Sequence, residues 1–160
     1  MRTSTARNIV YLAAGIGLIV ALFATAEFLD PGLSAVCSIT SYYSCGKVAA
    51  SGLTTTLGIP DWVWGVAGFV LILVVAALAE QRPDDRRRAY SLLGVTSVGV
   101  ALALYLLYVE LHLIHALCPV CASAYVLGGI AWLGSIELAR RPPDDGGDDD
   151  ETDDPPDEDA

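Results

Sequence analysis

The chain has 160 residues, 54% of them hydrophobic, with a mean hydropathy of +0.51. That is too apolar for a soluble domain of this size. The formal net charge of −10 belongs to one end: eleven of the 19 acidic residues follow Pro143, and the rest of the chain sets nine basic residues against eight acidic ones. No basic patch suited to nucleic acid occurs anywhere.

A helix needs about 20 apolar residues to cross a bilayer. Four stretches meet that length, and the reading is an all-α membrane protein with a bundle of four transmembrane helices. The first runs from Ile9 to Ala26, the second from Trp62 to Ala79, the third from Tyr90 to Val109 and the fourth from Leu117 to Leu138. Each contains Gly or Ala, which let helices approach closely. The first stretch, with arginines before it and Ala24-Thr25-Ala26 behind it, also has the outline of a cleavable signal peptide. The expectation is a retained span, because it completes the bundle.

Between the first two spans lies a long loop, punctuated by Pro31-Gly32 and Gly58-Ile59-Pro60. Within it Lys47-Val48-Ala49-Ala50-Ser51 is predicted to form a short amphipathic helix on the membrane surface. Basic residues set the orientation. Arg2 and Arg7 precede the first span. Arg82, Arg86, Arg87 and Arg88 separate the second and third, and Arg140 and Arg141 follow the fourth. The other two connections carry only Lys47. Both termini are therefore expected in the cytoplasm, with residues 27–61 and the short connection Glu110 to Ala116 outside. Residues 1–141 form the membrane domain, and residues 142–160 are expected to be a disordered acidic cytoplasmic tail.

This orientation puts all four cysteines on the outer face, where disulfides persist. Cys118-Pro119-Val120-Cys121 places two thiols at i and i+3, on one helix face. Pro119 is tolerated only at the beginning of a helix. The pair thus sits where free amide donors and partial positive charge favour thiolate, the species that attacks disulfides. Cys118 is placed to exchange with the outer pair, and Cys121, one turn deeper, to face something lipid-soluble. A static, structural cysteine pair is the plainer alternative. A metal carrier using His112, His115, Cys118 and Cys121 is another. On one continuous helix, however, steps of three residues rotate by about 300° and spread four ligands along ~13 Å, which closes no tetrahedral site. Cys37 and Cys45, separated by seven residues in a flexible Ser/Tyr-rich segment, fit either a loop staple or an exchanging dithiol.

The ordered set Cys37-x7-Cys45, Ser51, Gly58-Ile59-Pro60-Asp61, Gly65, Cys118-Pro119-Val120-Cys121 and Tyr125 resembles the vitamin K epoxide reductase family, over about residues 9–139. The resemblance implies an enzyme, a thiol oxidoreductase that carries electrons from protein thiols to a quinone held in the helical bundle near the outer face. It implies a thioredoxin-like extracytoplasmic partner, with Cys37 nearer that partner, Cys45 bridging to Cys118, and Cys121 contacting the quinone. In a prokaryote-like chain the quinone expected is menaquinone, as electron acceptor, with no metal. Asp61 and Tyr125 match the polar quinone-binding positions, and Ser51 matches a loop serine as a supporting residue. Asp61 departs from the family's common Asn, and an ionised Asp cannot donate to a carbonyl. Its other reading is a cap of the second helix. Trp62 and Trp64 fit an outer aromatic belt or a pocket wall.

Overall fold

The computed structural model describes residues 3–30, 32, 37, 40–53, 55–56, 58–81 and 86–140. The expected acidic tail, 142–160, lies outside the described residues, as do Arg2, Arg82 and Arg141. Helix α1 spans Thr3–Leu29 and the short α2 spans Cys45–Ala50. Strand β1 (Thr55–Thr56) pairs antiparallel with β2 (Ile59–Pro60) in a minimal hairpin, with Thr56 opposite Ile59. Gly58 takes φ 78° at this turn, a conformation that glycine adopts without steric cost. Helix α3 spans Asp61–Glu80 and α4 spans Arg86–Tyr108. The third long helix does not stop near Val109. It continues through a π-helical turn, Val109–Ile114, before α5 at Pro119–Arg140.

Four helices among the described residues are long and apolar enough to cross a membrane. Helix α1 packs on α5 and α3, while α4 packs on α5 and α3, so the four close into a ring. Inside it Val10, Ala14, Ala21, Phe69, Ile72, Ala76 and Leu92 form the buried core. The outer surface is equally apolar. Leu12, Ile19, Val98, Leu104, Val126 and Leu133 are each more than half exposed. Such a girdle is ordinary against lipid and an aggregation hazard in water. The chain is a multi-pass membrane protein.

Small residues set the closest approaches. A Cβ on Gly134 would lie 2.7 Å from Val10 Cγ2 and 3.3 Å from the Ala6 carbonyl oxygen, so glycine lets α5 lie against α1. Gly17 gives the same room to the ring of Phe69. Polar side chains also pair within the bundle: the Thr96 and Ser135 hydroxyls meet at 2.8 Å, and Trp132 Nε1 donates to Ser97 Oγ at 3.0 Å. At one end, Arg7 pairs with Glu80 at 3.2 Å, Tyr11 donates to the same carboxylate at 2.9 Å, and Arg88 donates to the Leu78 carbonyl. The sulfur atoms gather at the other end.

Candidate active site

The loop after α1 is tied to the start of α5 by a short parallel bridge. Leu117 N–H donates to the Tyr42 carbonyl at 2.9 Å, and Ser44 N–H donates to the Leu117 carbonyl at 3.2 Å. Ser44 then caps α2, its Oγ accepting from Lys47 N–H at 3.3 Å. Helix α2 thus begins at Cys45, two residues before the predicted start. It buries Cys45 and Val48 and leaves Lys47 exposed. Ser51 closes the helix: its hydroxyl donates to the Val48 carbonyl at 2.7 Å and accepts from Leu53 N–H at 3.3 Å. The segment that reads as flexible in sequence therefore holds Cys45 firmly. Only the cross-chain bridge shows this, and its two sides lie some 70 residues apart, between Tyr43 and Leu117.

Cys37 and Cys45 form a disulfide with Cα atoms 5.7 Å apart. Cys118 Sγ lies 3.1 Å from Cys45 Sγ, and the three sulfurs lie within 4.8 Å of one another. Cys118 immediately precedes α5, with Pro119 as its first helical residue. Its sulfur occupies the capping position and accepts from Cys121 N–H at 3.3 Å. The Cys121 thiol beside it lowers the Cys118 pKa below the ordinary thiol value. Burial opposes this, and the backbone N–H groups of Cys121 and Val120 reinforce it. Cys118 and Cys121 are both free thiols.

Behind the sulfurs is a cavity of about 200 Å³ inside the helix ring. Cys45, Cys118 and Cys121 line it. Phe28, Trp62, Trp64, Phe69, Leu106 and Val109 are among its apolar walls, and Asp61 and Tyr125 line it too. Phe28 and Trp62 rings meet at 6.0 Å. Asp61 is the first residue of α3, directly after Pro60 in the capping position. Tyr125, one turn beyond Cys121 on α5, donates its hydroxyl to Glu110 Oε1 at 2.8 Å. A largely apolar chamber with a few convergent polar groups fits a flat, hydrophobic ring bearing carbonyl oxygens.

Two carboxyls in this wall escaped the sequence reading. Glu110 is 2% exposed, and its Oε2 accepts from Cys118 N–H at 3.1 Å. Glu27, near the end of α1, is 5% exposed, and its Oε1 has no hydrogen-bond partner among the described residues. The signal for both was a lone acid at the edge of an apolar run, where an ionisable residue marks a functional position. The histidines lie apart from this cluster. His112 is exposed with its ring stacked on Tyr108 at 4.5 Å, and His115 is exposed at φ 54°. Among the described residues, the group with metal-binding spacing is Cys37, Cys45 and Cys118, two of which share a disulfide.

Residues 8–136 match the model of the vitamin K epoxide reductase family. The chain belongs to this family. Membership implies oxidoreductase activity in the membrane, with disulfides and a quinone as the reacting groups. The disulfide between Cys37 and Cys45 accords with that chemistry.

Proposed function

We propose that the chain oxidises dithiols of a thioredoxin-like protein outside the cytoplasm and passes their two electrons to a membrane quinone of the menaquinone type. A partner dithiol reduces the Cys37–Cys45 disulfide and leaves as a disulfide. The Cys45 thiolate then attacks Cys118 in a Cys118–Cys121 disulfide, forming a Cys45–Cys118 bond and releasing the Cys121 thiolate. Cys37 resolves this bond, which restores Cys37–Cys45 and leaves Cys118 and Cys121 reduced. Finally the inner dithiol returns to a disulfide, its two electrons and two protons passing to the quinone. Asp61 and Tyr125 orient the quinone against Cys121, and Ser51 supports the loop by closing α2. Both termini and the arginine-rich connection lie in the cytoplasm, and the sulfurs lie outside.

The observation that carries this reading is the 3.1 Å separation of Cys45 and Cys118 in the wall of the cavity that Cys121 also lines. An oxidised outer pair beside a reduced inner pair is the state just before electrons leave for the quinone. A fixed structural disulfide needs no third sulfur at that distance. The test is purified protein in lipid nanodiscs, supplied with a reduced thioredoxin-like protein and a naphthoquinone. Quinone reduction that is lost in both Cys118→Ser and Cys121→Ser supports the relay. Full turnover in either variant ends it.

A further inference from the structure

Moving two electrons from a dithiol to a quinone also moves two protons, and the cavity wall contains a chain of groups suited to carry one of them. Glu110 touches both ends of the reaction. Oε2 is bonded to the backbone of Cys118 at 3.1 Å, and Oε1 to the hydroxyl of Tyr125 at 2.8 Å. It is buried at the end of a transmembrane helix, where an ionisable side chain is costly to keep without a use. The local backbone is unusual as well. The π-helical turn Val109–Ile114 contains Glu110, whose carbonyl accepts from the N–H groups of His115 and Ala116. Such turns are rare and cluster at functional sites. A regular α-helix at this point would rotate every later residue differently around the axis.

We propose that Glu110 is the proton carrier of the quinone half-reaction, an inference that rests on the electron path given under Proposed function. When Cys118 loses its proton, the Glu110 carboxylate takes it up. As the Cys118–Cys121 disulfide forms and the electron pair leaves, Tyr125 Oη delivers a proton to one carbonyl oxygen of the quinone and is reprotonated by Glu110. The Cys121 thiol proton goes to the other oxygen. Two thiols have then lost two electrons and two protons, all of which are on the quinone, and Glu110 is again a carboxylate. Exchange between the cysteine pairs needs none of this, since thiolates and disulfides trade partners without the cavity.

That separation supplies the test. Glu110→Gln keeps one oxygen to accept from Cys118 N–H and turns its amide N–H toward the Tyr125 oxygen, but it relays no proton. Two rates are measured in nanodiscs: transfer of electrons from reduced thioredoxin-like protein into the Cys118/Cys121 pair, read by thiol alkylation and mass, and single-turnover reduction of a short-chain naphthoquinone. Quinone reduction is expected to fall about 100-fold, in the range of general-acid losses, while exchange changes less than about threefold. A fall of less than about tenfold, or an equal slowing of exchange, overturns the assignment and leaves Glu110 a clamp. Tyr125→Phe breaks the same chain at the hydroxyl while leaving the bond to Cys118, and carries the test should the Gln variant not insert intact. A wild-type chain that exchanges disulfides but never reduces the quinone removes the electron path itself. A turning-over wild type beside an unaffected Gln variant removes only the role of Glu110.

Discussion

Three sulfurs within 4.8 Å make each cysteine's substitution distinguishable from the others'. Cys37→Ala removes the thiol that resolves the Cys45–Cys118 bond, so that bond should accumulate and appear as a cross-linked peptide under non-reducing mass spectrometry. Cys118→Ala should abolish that peptide. The lowered pKa of Cys118 fixes a pH dependence. Below that pKa the sulfur is protonated and inert, so its attack on Cys45 of the Cys37–Cys45 disulfide, the reverse of the relay's exchange step, speeds up as pH rises, then levels off before the ~8.5 of an ordinary thiol. Because the Cys121 thiol is the main cause of the shift, Cys121→Ala should move the plateau to higher pH. Quench-flow trapping of the Cys45–Cys118 bond across pH checks both signs, and an unmoved plateau would contradict them. Much of this was legible beforehand: Cys-Pro-x-Cys announces a helix start, because proline fits only there. Glu110 was not. An acid after Val109 reads as the polar end of a span, and only the bonds to Cys118 and Tyr125 reveal where its carboxylate goes.

At the scale of elements, the contact of α1 with α5 turns on Gly134. Leucine there meets Val10 and the Ala6 carbonyl, and overpacking of this kind costs about 1–3 kcal/mol. Gly134→Leu should lower the thermal midpoint in micelles, whereas Gly128→Ala, with open space around its Cβ position, should change it little. The π-helical turn ends at His115 with φ 54°. His115→Gly relieves a left-handed backbone cost but adds freedom to the unfolded chain, so stability should shift by no more than about 1 kcal/mol. Since the imidazole is exposed and apart from the sulfurs, quinone reduction should persist in His112→Ala and His115→Gly. Loss of turnover in both would revive a metal role for that pair. The four spans were readable because hydropathy reports them directly. The π-turn was not, since a helix reading assumes one period throughout and the third span shows no break in its apolar run. The start of α2 was missed by two residues because Ser44 acts as cap only once the bridge to Leu117 sets its backbone.

The whole molecule is polarised along its axis. Arg7, Arg88 and Glu80 gather at one end, and Lys47, α2 and the sulfur cluster at the other. The proposed topology follows from that division. In intact spheroplasts a membrane-impermeant amine reagent should label Lys47. A cysteine placed in the segment 82–85 of a chain otherwise lacking free thiols should react with an impermeant maleimide only after lysis. Labelling of both from the same side would overturn the orientation. The arginine distribution in the sequence already pointed this way, because charge asymmetry survives without any knowledge of packing. The chamber between the helices did not show in the sequence, since its walls are drawn from α1, α3, α4 and α5 at once.

One arrangement links these scales. The atom that anchors the first turn of α5, Cys118 Sγ, is in the proposed relay also the atom that changes covalent partner. A sulfur engaged in a disulfide is a poorer acceptor than a thiolate, so every catalytic cycle must loosen and then retighten the backbone at this helix start. Amide hydrogen exchange at Cys121 should consequently report the oxidation state of the protein, fast when Cys118 is bonded to another sulfur and slow when it is free.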